Sequence, residues 1–129
     1  MTFYDWYMEK INAVKTAVQA ICSAAIGPYA KITSFPFAII VPGESKIEDS
    51  AVKKLKHIIT VDIVVVVNSQ DQDEAIQTAA NIYDQLMGDR TLGGTVNLLT
   101  PRMFVPGFYG TSEKASCLLR VELECYETR

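Results

Sequence analysis

The sequence predicts an α+β domain in which two helices pack on a mainly antiparallel four-stranded sheet, in the order α-β-β-α-β-β. Two observations predict it. Two segments carry apolar residues at helical spacing and end at glycine, and four others are short and β-branched or alternating, two of them bounded or broken by Pro. The chain has 129 residues, of which 49% are hydrophobic and 21% charged, with seven Gly and five Pro. A chain of that size buries about two-thirds of the surface its unfolded form exposes, enough for residues 1–129 to share one core without metals or disulfides.

The first helix is read from Tyr7, Ile11, Val14, Val18, Ile21, Cys22 and Ala25, which fall on one face with Glu9, Lys10, Lys15 and Gln19 between them. Thr2 or Asp5 caps its start, and Gly27-Pro28 stops it. Residues 36–41 are a short apolar strand between Pro36 and Pro42-Gly43. Residues 44–56 carry four Lys and three carboxylates and read as a long, solvated, mobile loop. Residues 57–67 form the next strand, whose first half alternates and whose second half, residues 63–67, is apolar on both faces.

A strand apolar on both faces must be covered on both, and two helices are few for that task. The expectation is that Val64 and Val66 meet another molecule.

Ser69-x-x-Gln72 and Asp71-x-x-Glu74 have capping-box spacing and open the second helix, where Asp71, Asp73 and Glu74 favour the positive end of the dipole. Ile76, Ala79, Ala80, Tyr83, Leu86 and Met87 give its expected buried stripe, and Gly88 ends it. Two strands close the chain, over residues 95–105, broken by Pro101, and over residues 115–126. In the last, Cys117, Leu119, Val121, Leu123 and Cys125 face one way, and Ser116, Arg120, Glu122 and Glu124 the other. Residues 106–111 read as a turn-rich tip carrying Phe108 and Tyr109.

No catalytic set emerges from the residues. The single histidine, His57, stands where a Lys-rich loop meets a strand and reads as a surface or strand-edge residue, and no serine sits in a GxSxG elbow. Cys22, Cys117 and Cys125 lack the spacing of a disulfide framework or of paired zinc ligands, so buried, reduced thiols in a cytoplasmic protein are expected. Asp71-x-Asp73-Glu74 lacks the glycine and the distal glutamate of a calcium loop, and Gly93-Gly94 lies outside any phosphate-binding pattern. The reading is a protein that is not an enzyme and has no cofactor or metal.

Neither a secretory signal nor a membrane span is read, because Asp5 and Glu9 stand where a signal carries positive charge and the longest apolar run has five residues. Net charge is −3, which argues against gripping nucleic acid by its phosphates. Residues 57–89 hold six carboxylates and no Lys or Arg. One region is therefore acidic.

After the second helix the chain reads Asp89-Arg90-Thr91-Leu92-Gly93-Gly94-Thr95-Val96. This stretch resembles the D-x-T-L-G-G-x-V segment of tail terminator and tail completion proteins of long-tailed bacteriophages. The order of helix, hairpin with a charged loop, capped helix, motif and two closing strands is similar over nearly the whole chain. Read by itself, the segment is a helix-to-strand connection in which Gly93 and Gly94 take unusual backbone angles and Leu92 tucks into the core.

The resemblance implies a structural virion protein made in the bacterial host cytoplasm. It would form a ring, usually of six copies, on the head-proximal end of the tail tube. Its partners would be copies of itself, the tube protein and a head completion or neck protein, with DNA passing through without specific binding. Val64, Val66, Arg120, Glu122 and Glu124 are the candidate subunit interface. Lys46, Ile47, Val52, Lys53, Lys54, Leu55, Phe108 and Tyr109 are the candidate partner loops. Two alternatives stand beside this reading: a head-to-tail joining component of the same particle, and a ferredoxin-like small-molecule-binding domain.

Overall fold

A computed structural model describes residues 1–28, 30–109 and 114–129. Helix α1 (Phe3–Gln19) is capped by Thr2, whose Oγ1 accepts from the Asp5 amide at 3.1 Å. Ile11, Val14 and Val18 are its buried stripe. The helix stops well short of Gly27, because Ser23–Ile26 form a strand, β1, paired in parallel with residues 37–40. The spacing of Ile21, Cys22 and Ala25 continues a helical pattern, but sheet pairing supplies these residues with backbone partners that override it. Gly27, at φ 110°, turns the chain back and donates its amide to Ile40 O at 2.8 Å.

β2 (Phe37–Ala51) and β3 (Lys54–Val66) make a long hairpin turning at Val52-Lys53, with Lys53 at φ 60°. The expected loop over residues 44–56 is thus a ribbon. Its pairing runs from Ser45↔Ile59 to Ala51↔Lys54, with an irregularity after Pro42. The segment reads as a loop in sequence because both its faces are wet, so no alternation marks it; ladder hydrogen bonds and cross-strand pairs such as Glu48 opposite Lys56 hold it.

α2 (Gln72–Met87) starts at its Asp71 cap and ends at Gly88, as expected, but buries Ala75, Ala79, Ile82 and Leu86. The helix is rotated from the expected stripe, leaving Tyr83 exposed, because small Ala75 and Ala79 let its backbone approach the sheet. β4 (Leu98–Tyr109) starts later than expected and runs through both Pro101 and Pro106, since an edge strand needs no outward amide there. A register shift between Pro101 and Met103 places Arg102 in a bulge. Phe108 and Tyr109 therefore belong to β4, and the Gly110 and Thr111 of the expected tip lie outside the described residues. β5 (Lys114–Thr128) matches its expected alternation.

Among the described residues the sheet has five strands in the order β1-β2-β3-β5-β4, one more than expected, and all neighbours but β1 and β2 are antiparallel. The extra strand gives the element order α-β-β-β-α-β-β, not the β-α-β-β-α-β of a ferredoxin-like domain. Both helices lie on one face, where residues of α1 and α2 share a core with Ile40, Ile63, Leu119 and Leu123. No described helix covers the other face.

Candidate functional site: the uncovered sheet face

Strand alternation sends Val64 and Val66 from β3, and Leu118, Arg120, Glu122 and Glu124 from β5, to the face without helices. The expected interface residues therefore share a face. Its two ends differ. At one end Phe37, Ile39 and Val66 are buried within this chain, with Ala25, Ala30, Ile32, Val64 and Tyr109 packed around them. Val66 is thus already covered, contrary to the expectation that it needs another molecule, because the segment after β1 folds over that end. Val64 is half-buried.

The other end is a ladder of ion pairs. Arg120 reaches Asp62 with both Nε, at 2.7 Å to Oδ1, and Nη2, at 3.1 Å to Oδ2. Hydrogen bonding to Asp62, and then its charge, hold the guanidinium protonated more firmly than usual. Arg102 donates to Glu122, Lys56 lies 3.8 Å from Glu124, and the Tyr126 hydroxyl donates to Glu124 at 3.1 Å. Each carboxylate already has a partner, so the surface suits docking of another polar surface better than proton transfer.

His57 lies on the opposite, helix-covered face and is 1% exposed, which corrects its reading as a surface or edge residue. Its Nε2 is 2.9 Å from Glu127 Oε1, its Nδ1 has no hydrogen-bond partner among the described residues, and the rings of Phe3 and Trp6 lie at centroid distances of 5.8 and 4.7 Å. β3 runs on past the Lys-rich segment, and α1 closes over it there. Cys22, Cys117 and Cys125 are buried free thiols. Burial raises all three, pushing Cys117 and Cys125 to about 11. Among the described residues no group of three or more His, Cys, Asp or Glu is placed to hold a metal ion, and no helix is long and apolar enough to cross a membrane.

Residues 89–96 form a turn that satisfies itself. Asp89 accepts from the Thr91 hydroxyl at 2.9 Å, the Gly93 amide at 2.8 Å and the Thr91 amide at 3.3 Å. Leu92, Gly93 and Gly94 have φ of 50°, 69° and 85°, so the expected unusual angles are present and extend to Leu92, which packs against the core. Arg90 Nε donates to Leu99 O at 2.9 Å, and the Leu99 amide donates to Arg90 O at 2.8 Å. Arg90 thus ties the turn to the start of β4. Hydrogen bonds from Gly93 and then Thr91 hold the Asp89 carboxyl below its ordinary value.

The expected partner loops are split between opposite ends of the sheet. Lys46, Ile47, Val52, Lys53, Lys54 and Leu55 sit at the far end of the β2–β3 hairpin, whereas Phe108 and Tyr109 lie where β4 meets the start of β5. Sequence reasoning missed Met103, Phe104 and Val105, which stand exposed on β4, with Phe104 on the helix side beside Tyr83 and the other two on the opposite face. Their signal is an apolar run between two prolines, on a strand where neighbours point to opposite faces.

Neither the protein-family models nor the curated proteins with which the chain was compared match it.

Proposed function

We propose that this protein is a structural, non-enzymatic tail terminator, whose copies close into a ring of about six on the head-proximal end of a phage tail tube, stop tube growth and present a surface to a head completion or neck protein. The observation that carries the reading is the one-sided cover of the sheet, which leaves a broad face of paired charges and half-buried apolar residues for other protein. The resemblance of residues 89–96 supplies the kind of assembly. DNA passes through the channel of such a ring, and a chain of net charge −3 does not hold it by its phosphates.

Asp71, Asp73 and Glu74 need no part in this, since Asp71 caps α2 and the other two lie in its first turn. The experiment is deletion of the gene from its phage, with electron microscopy of the particles. Tails of uncontrolled length that fail to join heads, restored to uniform length by the supplied protein, are the expected outcome. Tails of normal length that merely fail to attach overturn it in favour of a neck component.

A further inference from the structure

We propose that the tip of the β2–β3 hairpin of one copy docks, head to tail, into the apolar groove between α2 and β4 of a second copy. The groove has a volume of about 380 Å³, its apolar lining includes Ala80, Tyr83, Pro101 and Phe104, and two charged residues line it, Asp84 and an Arg102 whose guanidinium is paired with Glu122 of the same chain. Phe104, on the helix side of the edge strand β4, is 40% exposed, and Met103, 44% exposed, turns to the other face, where its sulfur meets Arg120 Nη1 at 3.3 Å. That edge is poorly made for adding a strand, because Pro101 and Pro106 lack amides and the bulge at Arg102 breaks the register. It offers side chains, not backbone.

The hairpin tip offers the complement. Val52 is 92% and Ile47 55% exposed, and Lys53, Lys54 and Lys56 follow Val52 in the chain. Opposite charge stands beside the groove: Asp84 lines it, and Asp73 lies eleven residues earlier on the same stripe of α2. Residues 57–89, which include all of α2, contain no Lys or Arg.

A tip cannot reach the groove of its own chain. β3 and β5 separate β2 from β4, about 14 Å in three strand steps, and the Lys54↔Thr128 row lies eight residues along β5 from the Arg120↔Met103 row, about 26 Å. The occupant is therefore a second copy. Tip and groove belong to opposite edges of one sheet, so the contact repeats from copy to copy and closes wherever its rotation does. That closure rests on the ring reading; the pairwise contact does not.

Cysteine cross-linking tests it, because the three native thiols are buried. Val52→Cys and Phe104→Cys proteins are oxidised separately and as a mixture, Phe104 being the β4 residue opposite Leu119 on the helix side of the sheet. A cross-linked dimer only in the mixture, and a ladder from the double variant, are expected. Cross-linking of Val52→Cys alone shows tip-to-tip pairing and overturns the proposal. Assembly without the mixed cross-link overturns it too and leaves the ring reading intact, whereas absence of any self-association sinks both. A charge swap gives a second readout: Asp84→Lys weakens assembly by about tenfold, and adding Lys53→Glu restores it. Unchanged assembly in Asp84→Lys contradicts the pairing.

Discussion

The two faces of the sheet are built by the same strands, yet they have different chemistry. Along β5, Cys117, Leu119, Val121, Leu123 and Cys125 are buried beneath the helices, and the residues between them, Leu118, Arg120, Glu122 and Glu124, stay half-buried, the last three with partners of opposite charge. The backbone ladder is common to both faces, so it does not distinguish them. What differs is the cover. The helix-covered face holds the chain's main core, and the other face carries ion pairs and half-buried apolar residues.

Substitutions break or sharpen that contrast. The largest effect is expected at the one place where the second face is sealed by the chain itself. Val66→Asp buries an unpaired charge against Phe37 and Ile39 and should cost about 3–5 kcal/mol, seen as a lowered midpoint in denaturant titration. Were the variant as stable as wild type and merely unable to assemble, that end of the face would be intermolecular after all. Next, Leu123→Ala on the covered face should cost about 2–5 kcal/mol, whereas Leu118→Ala, five residues earlier on the opposite face, should cost less than half as much. Equal losses would erase the distinction between faces.

A smaller effect is expected in the turn after α2. A Cβ at Gly94 meets nothing within 4 Å, so Gly94→Val should cost only the strain of φ 85°, about 1–2 kcal/mol. The smallest is a pH effect. Asp89 is held below its ordinary value, so the folded chain binds that proton more weakly than the unfolded one. Its contribution is complete at neutral pH and is lost as pH falls from the ordinary aspartate range through the lowered value. Asp89→Asn should flatten thermal stability across that acidic window, and an unchanged slope would remove Asp89 from the account.

Much of this was legible in the residues, and the misses share a cause. Both helix starts, the end of α2, the strand at residues 115–126 and the strained glycines follow from capping chemistry, alternation and the steric freedom of Gly93 and Gly94. Helix α1 was overextended because the apolar spacing through Ala25 suits a helix as well as the four-residue strand that residues 23–26 form with β2. The hairpin beyond Pro42 was hidden because hydropathy reports burial, and a ribbon wet on both sides has none to report. Among the site residues, the shared face of Arg120, Glu122 and Glu124 follows from alternation alone. The burial of Val66 and the groove beside Tyr83 depend on distant segments folding over or alongside the sheet, and no local pattern encodes that.

Native mass spectrometry of the purified chain over a rising concentration series tests the central claim, assembly into a closed ring, most directly. The chain has a mass of 14.3 kDa, and the account predicts one dominant closed species of about six copies, with little between monomer and ring. A monomer at every concentration, a dimer that grows no further, or an open series of ever larger species would contradict it.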